Sequence, residues 1–186
     1  MTAAEIRAAV IIRRVNGIKR PLVAEIGVAG GRLSKALLRD HKTVHLTMVD
    51  NWAPEEGQGE GYKATGDSNA RLTPERASLH EKLAREAADK HPARTTVIKG
   101  DSVDTARFMI PASFDLVFID ADHSYEGCRA DIAAWLPMVK PGGWIGGHDY
   151  KNTEDVSYDF SGVDRAVSEM FGAILTDNQF TWWARV

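Results

Sequence analysis

Cysteine is almost missing from this chain: Cys128 is the only one in 186 residues. A single thiol cannot close an intramolecular disulfide, nor supply the thiolate pairs of zinc sites, and a cytoplasmic location is expected. Excess charge is missing too. Lys and Arg number 23 against 26 Asp and Glu, a formal net charge of −3, so no nucleic-acid partner is expected, because phosphate binding favours a basic face. Long apolar runs are absent as well. Glu5, Arg7, Arg13 and Arg14 interrupt the N-terminal segment, which argues against a signal-peptide core, and no stretch is apolar enough to span a membrane. No internal repeat and no linker divides the chain. What remains is 44% hydrophobic and 26% charged, the composition of one globular domain over residues 1–186 with a substantial core. Association into a homo-oligomer is left open.

The apolar positions supply the organisation. Ile6, Val10, Ile11 and Val15 lie near helical spacing and predict a helix over 3–15, ended by Asn16-Gly17. Residues 22–26 read as a strand, 27–31 as a glycine-rich turn, and Leu33, Leu37 and Leu38 give the next segment a helical stripe. The alternation continues with strands at 44–49, 95–99, 115–119 and 143–147 and helices at 74–90, 102–109, 126–138 and 162–171. That pattern predicts an α/β fold, a doubly wound, Rossmann-like parallel sheet covered on both faces. The runs 173–176 and 180–185 flank Asp177-Asn178 and predict a terminal antiparallel hairpin. Residues 51–72, with Gly57, Gly59, Gly61 and Gly66, interrupt the rhythm. They read either as a lid or binding loop or as a tolerated insertion.

Ligands of open parallel sheets bind beyond the carboxyl ends of the strands, and those ends are acidic here: Glu25, Asp50, Asp101, Asp120 and Asp149. The turn Gly27-Val28-Ala29-Gly30-Gly31 permits close backbone approach and opens a helix whose amides favour an anion. It is not G-x-G-x-x-G, since Ala29 holds the third position, and Glu25 beside it would repel a pyrophosphate. An NAD-type dinucleotide is therefore the second choice. A ligand with a fixed positive charge, a carboxylate and a ribose suits the acids better, and S-adenosylmethionine has all three. Asp50 lies 23 residues beyond Gly27, close to the spacing at which an acid meets a ribose diol. Asp101 and Ser102 would then stand beside the adenine, although Asp101 also reads as a helix cap.

The segments Val23–Gly31, Met48-Val49-Asp50 and Lys99-Gly100-Asp101-Ser102 resemble the ordered motifs of class I S-adenosylmethionine-dependent methyltransferases. Phe114–Tyr125 and Lys140–Tyr150 are similar to small-molecule O-methyltransferases of the macrocin and caffeoyl-CoA types. The resemblance implies a seven-stranded sheet with an antiparallel last strand and cofactor contacts from Glu25, Gly27, Gly30, Asp50, Asp101, Ser102 and Asp120. It also implies a hydroxyl on a small molecule as acceptor and a divalent cation, Mg or Mn, on Asp120, His148 and Asp149. His148 departs from the macrocin pattern, which has an acid there, and Tyr150 replaces the Asn of the caffeoyl-CoA type; a histidine weighs against magnesium and admits manganese or iron. An inactive, cofactor-holding partner subunit is the other alternative.

His123 is the first choice for general base, since an imidazole titrates near neutrality, and Asp122 the second; both could instead cap the following helix. Other conspicuous residues read as structural. Trp135 shares the stripe of Ile132 and Leu136 and belongs in the core. Trp182 and Trp183 should face opposite sides of the sheet. Cys128 has no activating partner in sequence, and Arg13-Arg14 and Lys19-Arg20 read as solvated surface.

Overall fold

A computed structural model describes residues 1–154 and 157–186. In chain order the elements are α1 (Ala3–Arg14), β1 (Leu22–Ile26), α2 (Arg32–Asp40), β2 (His45–Asp50), α3 (Glu60–Ala64), α4 (Pro74–Asp89) and β3 (Thr95–Lys99). They continue with α5 (Ser102–Ala106), β4 (Phe114–Ile119), α6 (Tyr125–Trp135), β5 (Val139–Gly147), α7 (Ser161–Met170), β6 (Leu175–Asp177) and β7 (Thr181–Arg185). Four of these helices begin where a short polar side chain takes up free amides. Thr2 and Glu5 form a reciprocal capping box on α1, Thr73 caps α4, Asp101 caps α5 and Ser124 caps α6.

The strands form one sheet in the order β3-β2-β1-β4-β5-β7-β6. β1 to β5 are mutually parallel, and β7 runs antiparallel to both β5 and β6. The predicted seven-stranded α/β sheet with its antiparallel last strand is thus the observed one. Strand order reverses between β1 and β4, and the backbones stay joined just past their ends, where Asp120 N donates to Ile26 O at 2.7 Å. This switch point opens the crevice in which such sheets hold ligands.

Apolar side chains fill both faces. Leu37, Met48, Phe118 and Trp183 pack on the side of α1, α2 and α4, while Val117, Ile132, Trp135 and Trp182 pack beneath α5, α6 and α7. Trp182 and Trp183 therefore do face opposite ways, and both are fully buried. Gly146 and Gly147 in β5 make room for them. A Cβ at Gly146 would lie 2.2 Å from Trp183 Cε3, and one at Gly147 would lie 2.7 Å from Trp182 Nε1.

Four local readings change. β5 begins at Val139, not 143: the Lys140-Pro141-Gly142-Gly143 run, turn-like by composition, is drawn into the strand, and the β4–β5 register shifts between Phe114 and Leu116. The helix after Asp101 ends at Ala106 rather than 109, leaving Phe108 and Ile110 exposed. Residues 51–72 are built of α3 between two 3₁₀ turns, Glu55–Gly57 and Ser68–Arg71. Arg14 is no surface residue. Its guanidinium lies between the Trp144 and Trp183 rings, 4.7 and 4.6 Å from their centroids, and 3.5 Å from Asp177. Cation–π contact and the ion pair thus tie α1 to the terminal hairpin. No helix among the described residues is long and apolar enough to cross a membrane.

Candidate active site

A cavity of about 360 Å³ opens beyond the carboxyl ends of β1 to β4. Gly27, Asp50, Asp101, Ser102, Asp120 and Asp122 all line it. Gly27 has to be glycine there: its φ is +83°, and a Cβ would fall 2.0 Å from the Asp120 carbonyl oxygen. Asp50 fixes the turn rather than standing free. One carboxylate oxygen accepts from Val28 N and Ala29 N, both at 2.8 Å, and the other accepts from Trp52 N at 2.7 Å. Burial nevertheless raises its pKa against these three amides. Trp52 closes the bracket through its indole N–H, which donates to Ala29 O. Residues 51–72 make a wall of the cavity through Trp52, Gln58, Tyr62 and Asn69.

At one end of the cavity, Asp120 joins a second group of side chains. An Asp120 oxygen, an Asp149 oxygen and an imidazole nitrogen of His123 all lie within 4.8 Å of one another. His123 Nε2 stands 3.1 Å from Asp149 Oδ2 and 3.5 Å from Asp120 Oδ1, aligned with neither, so it is buried without a hydrogen-bond partner. The opposite nitrogen is firmly held: Nδ1 lies 2.7 Å from Asp67 Oδ2. A carboxylate only accepts, so Nδ1 carries the proton and a neutral His123 presents a lone pair on Nε2. The Tyr62 hydroxyl donates to the same Asp67 oxygen. Burial works against charge on His123, but Asp120, Asp149 and Asp67 outweigh it and raise its pKa well above the usual value. For Asp120, burial is likewise outweighed, by His148, His123 and Arg7, which hold it well below the carboxylate range.

Asp149 has a left-handed backbone, φ +59°, a conformation that aspartate tolerates better than most residues. Despite burial, its pKa is held at about 2 by His123 and His148. His148 Nδ1 lies 2.8 Å from Asp149 Oδ2, while Nε2 lies 3.1 Å from Arg7 Nη1. Asp120 and Asp149 overcome burial and raise His148 to about 9. A guanidinium can only donate, however, so in this arrangement Nε2 accepts and His148 is neutral; charging it requires Arg7 to move.

The expected residues therefore separate. Gly27, Asp50, Asp101, Ser102, Asp120 and Asp122 reach the cavity, whereas Glu25 and Gly30 are not among its lining residues. Glu25 is 2% exposed, accepts from Ser34 Oγ of α2 at 2.5 Å, and is raised by burial to about 8, so it ties β1 to α2 as a neutral acid. Asp122 accepts from Ser124 N and shapes the start of α6. Asp101 caps α5 through Asp104 N. Three participants went unseen in sequence: Asp67, Arg7 and Asp131. Asp67 and Arg7 meet the site only through tertiary folding, and Asp131 reads in sequence as one polar position on a helix.

A family model described as a methyltransferase domain matches residues 24–150. The chain belongs to this family, and its fold is that of the class I, S-adenosylmethionine-dependent methyltransferases. A candidate caffeoyl-CoA O-methyltransferase from Staphylococcus aureus superposes with TM-score 0.65 at 13% identity, covering 96% of this chain and 82% of its own. The O-methyltransferase NovP gives 0.62 at 16% identity, with 98% and 79% covered. CalS11, a TDP-rhamnose 3′-O-methyltransferase of calicheamicin biosynthesis, gives 0.59 at 17%, with 97% and 77% covered. No curated protein matches the sequence.

Proposed function

We propose that residues 1–186 form one methyltransferase domain that methylates a hydroxyl of a small molecule, with residues 51–72 as the lid of the site. The observation that carries this reading is the double membership of Asp120, which lines the cavity and also faces the unpartnered His123 Nε2. A proton acceptor at the edge of a cofactor cavity is what deprotonation of an incoming hydroxyl needs. The acid-rich wall suits the sulfonium and ribose of S-adenosylmethionine and opposes a pyrophosphate. When bound, that cofactor supplies an electrophilic methyl group. Gly27 and Asp50 shape its cradle, Asp101 and Ser102 flank the purine end, and Asp120 takes the methionine end. His123 removes the hydroxyl proton through Nε2, and Asp67 holds the ring so that Nε2 is the free nitrogen. The named activities of NovP and CalS11 support a hydroxyl acceptor.

A second reading gives the same cluster a metal. Asp120, His123 and Asp149 converge with one buried, unpartnered nitrogen between two carboxylates, which fits a divalent cation. His148, expected as a ligand, faces both acids but is engaged by Arg7. Mg or Mn held by these residues would orient the acceptor oxygen and lower its pKa. Product mass after incubation with catechols, sugars and macrolide glycosides tests the function, and the same assay with chelator separates the readings. Under the first, His123→Gln lowers kcat by about 10²–10⁴-fold and chelator does nothing. Under the second, chelator abolishes methylation and manganese or magnesium restores it. Methylation confined to RNA or protein contradicts both.

A further inference from the structure

Two imidazoles approach the same carboxylate oxygen. His123 Nε2 lies 3.1 Å from Asp149 Oδ2, and His148 Nδ1 lies 2.8 Å from it. The distances are alike, but the polarity is opposite, because each ring is set by what meets its other nitrogen. Asp67 can only accept, so His123 keeps its proton on Nδ1 and turns a lone pair toward Asp149. Arg7 can only donate, so His148 accepts at Nε2, 3.1 Å from Arg7 Nη1, and directs the proton on its Nδ1 at Asp149. The second Asp149 oxygen accepts from Asn152 Nδ2 at 2.6 Å. Arg7 itself is held by α1. Ala4, Ala8, Val10 and Ile11 of that helix are buried, Glu5 pairs with Arg39 of α2 at 2.9 Å, and Arg14 is fixed against the terminal hairpin. The Arg7 side chain is 16% exposed, its Nε is buried without a partner, and Nη2 stops 4.0 Å from Asp120 Oδ2. Among the described residues, the hydrogen bond it makes is the one to His148.

We infer that Arg7 is a positioning residue that withholds His148 from the divalent-cation site, leaving His123 as the single imidazole ligand beside Asp120 and Asp149. The inference rests on the metal reading of that cluster. A cation needs lone pairs, and His148 offers it a proton. Without Arg7 that proton can pass to Nε2, and Nδ1 then turns a lone pair toward Asp149 and toward Asp120 Oδ1, 3.5 Å away. The group that meets the far nitrogen of a histidine decides which nitrogen is free to ligate. Asp67 frees the inward nitrogen of His123, and Arg7 blocks that of His148. The number of imidazoles also bears on the metal taken, since each one added to a carboxylate site moves its preference away from magnesium.

The test uses Mn²⁺ as the probe on the full chain, with pulsed electron paramagnetic resonance to count the imidazole nitrogens on the bound ion and calorimetry to measure its affinity. The wild type should show one imidazole. His148→Ala should leave that signal in place, and His123→Ala should remove it. Arg7→Met should show two imidazoles and bind Mn²⁺ at least about 10-fold more tightly, the lower end of the range over which residues around metal ligands act. Adding His148→Ala to Arg7→Met should return the count to one, a coupling that damage to the packing of α1 would not produce. Two imidazoles in the wild type, loss of the nitrogen signal in His148→Ala, or one imidazole in Arg7→Met overturns the inference and leaves the metal reading standing. Failure of the wild type to bind Mn²⁺ at all overturns both and leaves methyl transfer to His123 without a metal.

Discussion

At the residue scale, the chemistry of the site depends on how buried acids and histidines share protons. His123 must be neutral to accept a proton, yet its three carboxylate neighbours favour the charged form. Its activity should therefore rise with pH, with the inflection on the alkaline side of an ordinary histidine. Asp67→Asn still offers Nδ1 an acceptor but removes one negative charge. The pH profile of kcat should then move toward acid by about one unit, a common size for the loss of one close opposite charge. A profile unmoved by the substitution would detach Asp67 from the base.

Glu25 makes an independent prediction about stability. Its pKa is about 8 in the folded protein and about 4.3 in an unfolded chain. The folded state thus holds a proton that the unfolded state releases, and stability is complete below about pH 4.3 and declines as pH rises toward 8. The decline reaches at most about 1.4 kcal/mol per pH unit for one proton. Glu25→Gln keeps an acceptor for Ser34 and should flatten the fall in urea-unfolding free energy between pH 5.5 and 7.5. It should leave S-adenosylhomocysteine affinity unchanged, because the carboxyl is engaged by Ser34 and does not line the cavity. An equally steep fall in the variant would contradict this assignment.

At the scale of elements, the β5–β7 pairing is where backbone and side chain are most tightly matched. Gly146→Ala would drive a methyl group into Trp183 and the Trp182 carbonyl. Overpacking of this kind costs about 1–3 kcal/mol, seen as a lowered melting temperature. Gly59→Ala, with nothing within 4 Å of its Cβ, should be neutral or slightly stabilising. A Gly146→Ala protein that melts with the wild type would mean that the hairpin sits differently on the sheet. These elements also show what sequence carries. β1 was legible to the residue, because an apolar run bounded by Pro21 and a glycine turn leaves little choice. β5 was not, since Pro141 and two glycines look like a turn until neighbouring strands supply hydrogen-bond partners. Nor was the interior of 51–72 legible, where single turns of helix are held by local contacts such as Asp67 with Asn69 N and carry no periodic apolar stripe.

At the scale of the molecule, the candidate site is assembled from segments far apart in the chain. The acids at strand ends were readable because topology puts every strand's carboxyl end on one side of a parallel sheet. The partners were not, because Asp67 meets His123 across 56 residues and Arg7 meets His148 across 141. No local pattern encodes such distances. Residues 51–72 also meet the segment that precedes α7. Asp159 N donates to Thr65 O at 2.7 Å, and Gly66, at φ +80°, passes so near the Ser157 carbonyl that a Cβ would lie 2.7 Å from it. His123 packs edge-on against Tyr62 from the first of these segments and Phe160 from the second.

The central claim is that the cavity beside Gly27, Asp50 and Asp120 holds S-adenosylmethionine, and titration calorimetry tests it most directly. Injecting S-adenosylmethionine, S-adenosylhomocysteine and NAD in turn into the wild-type protein should give one-site binding for the first two and no heat of binding for NAD. Asp120→Ala should weaken both adenosyl ligands. Binding of NAD without either adenosyl ligand would contradict the account.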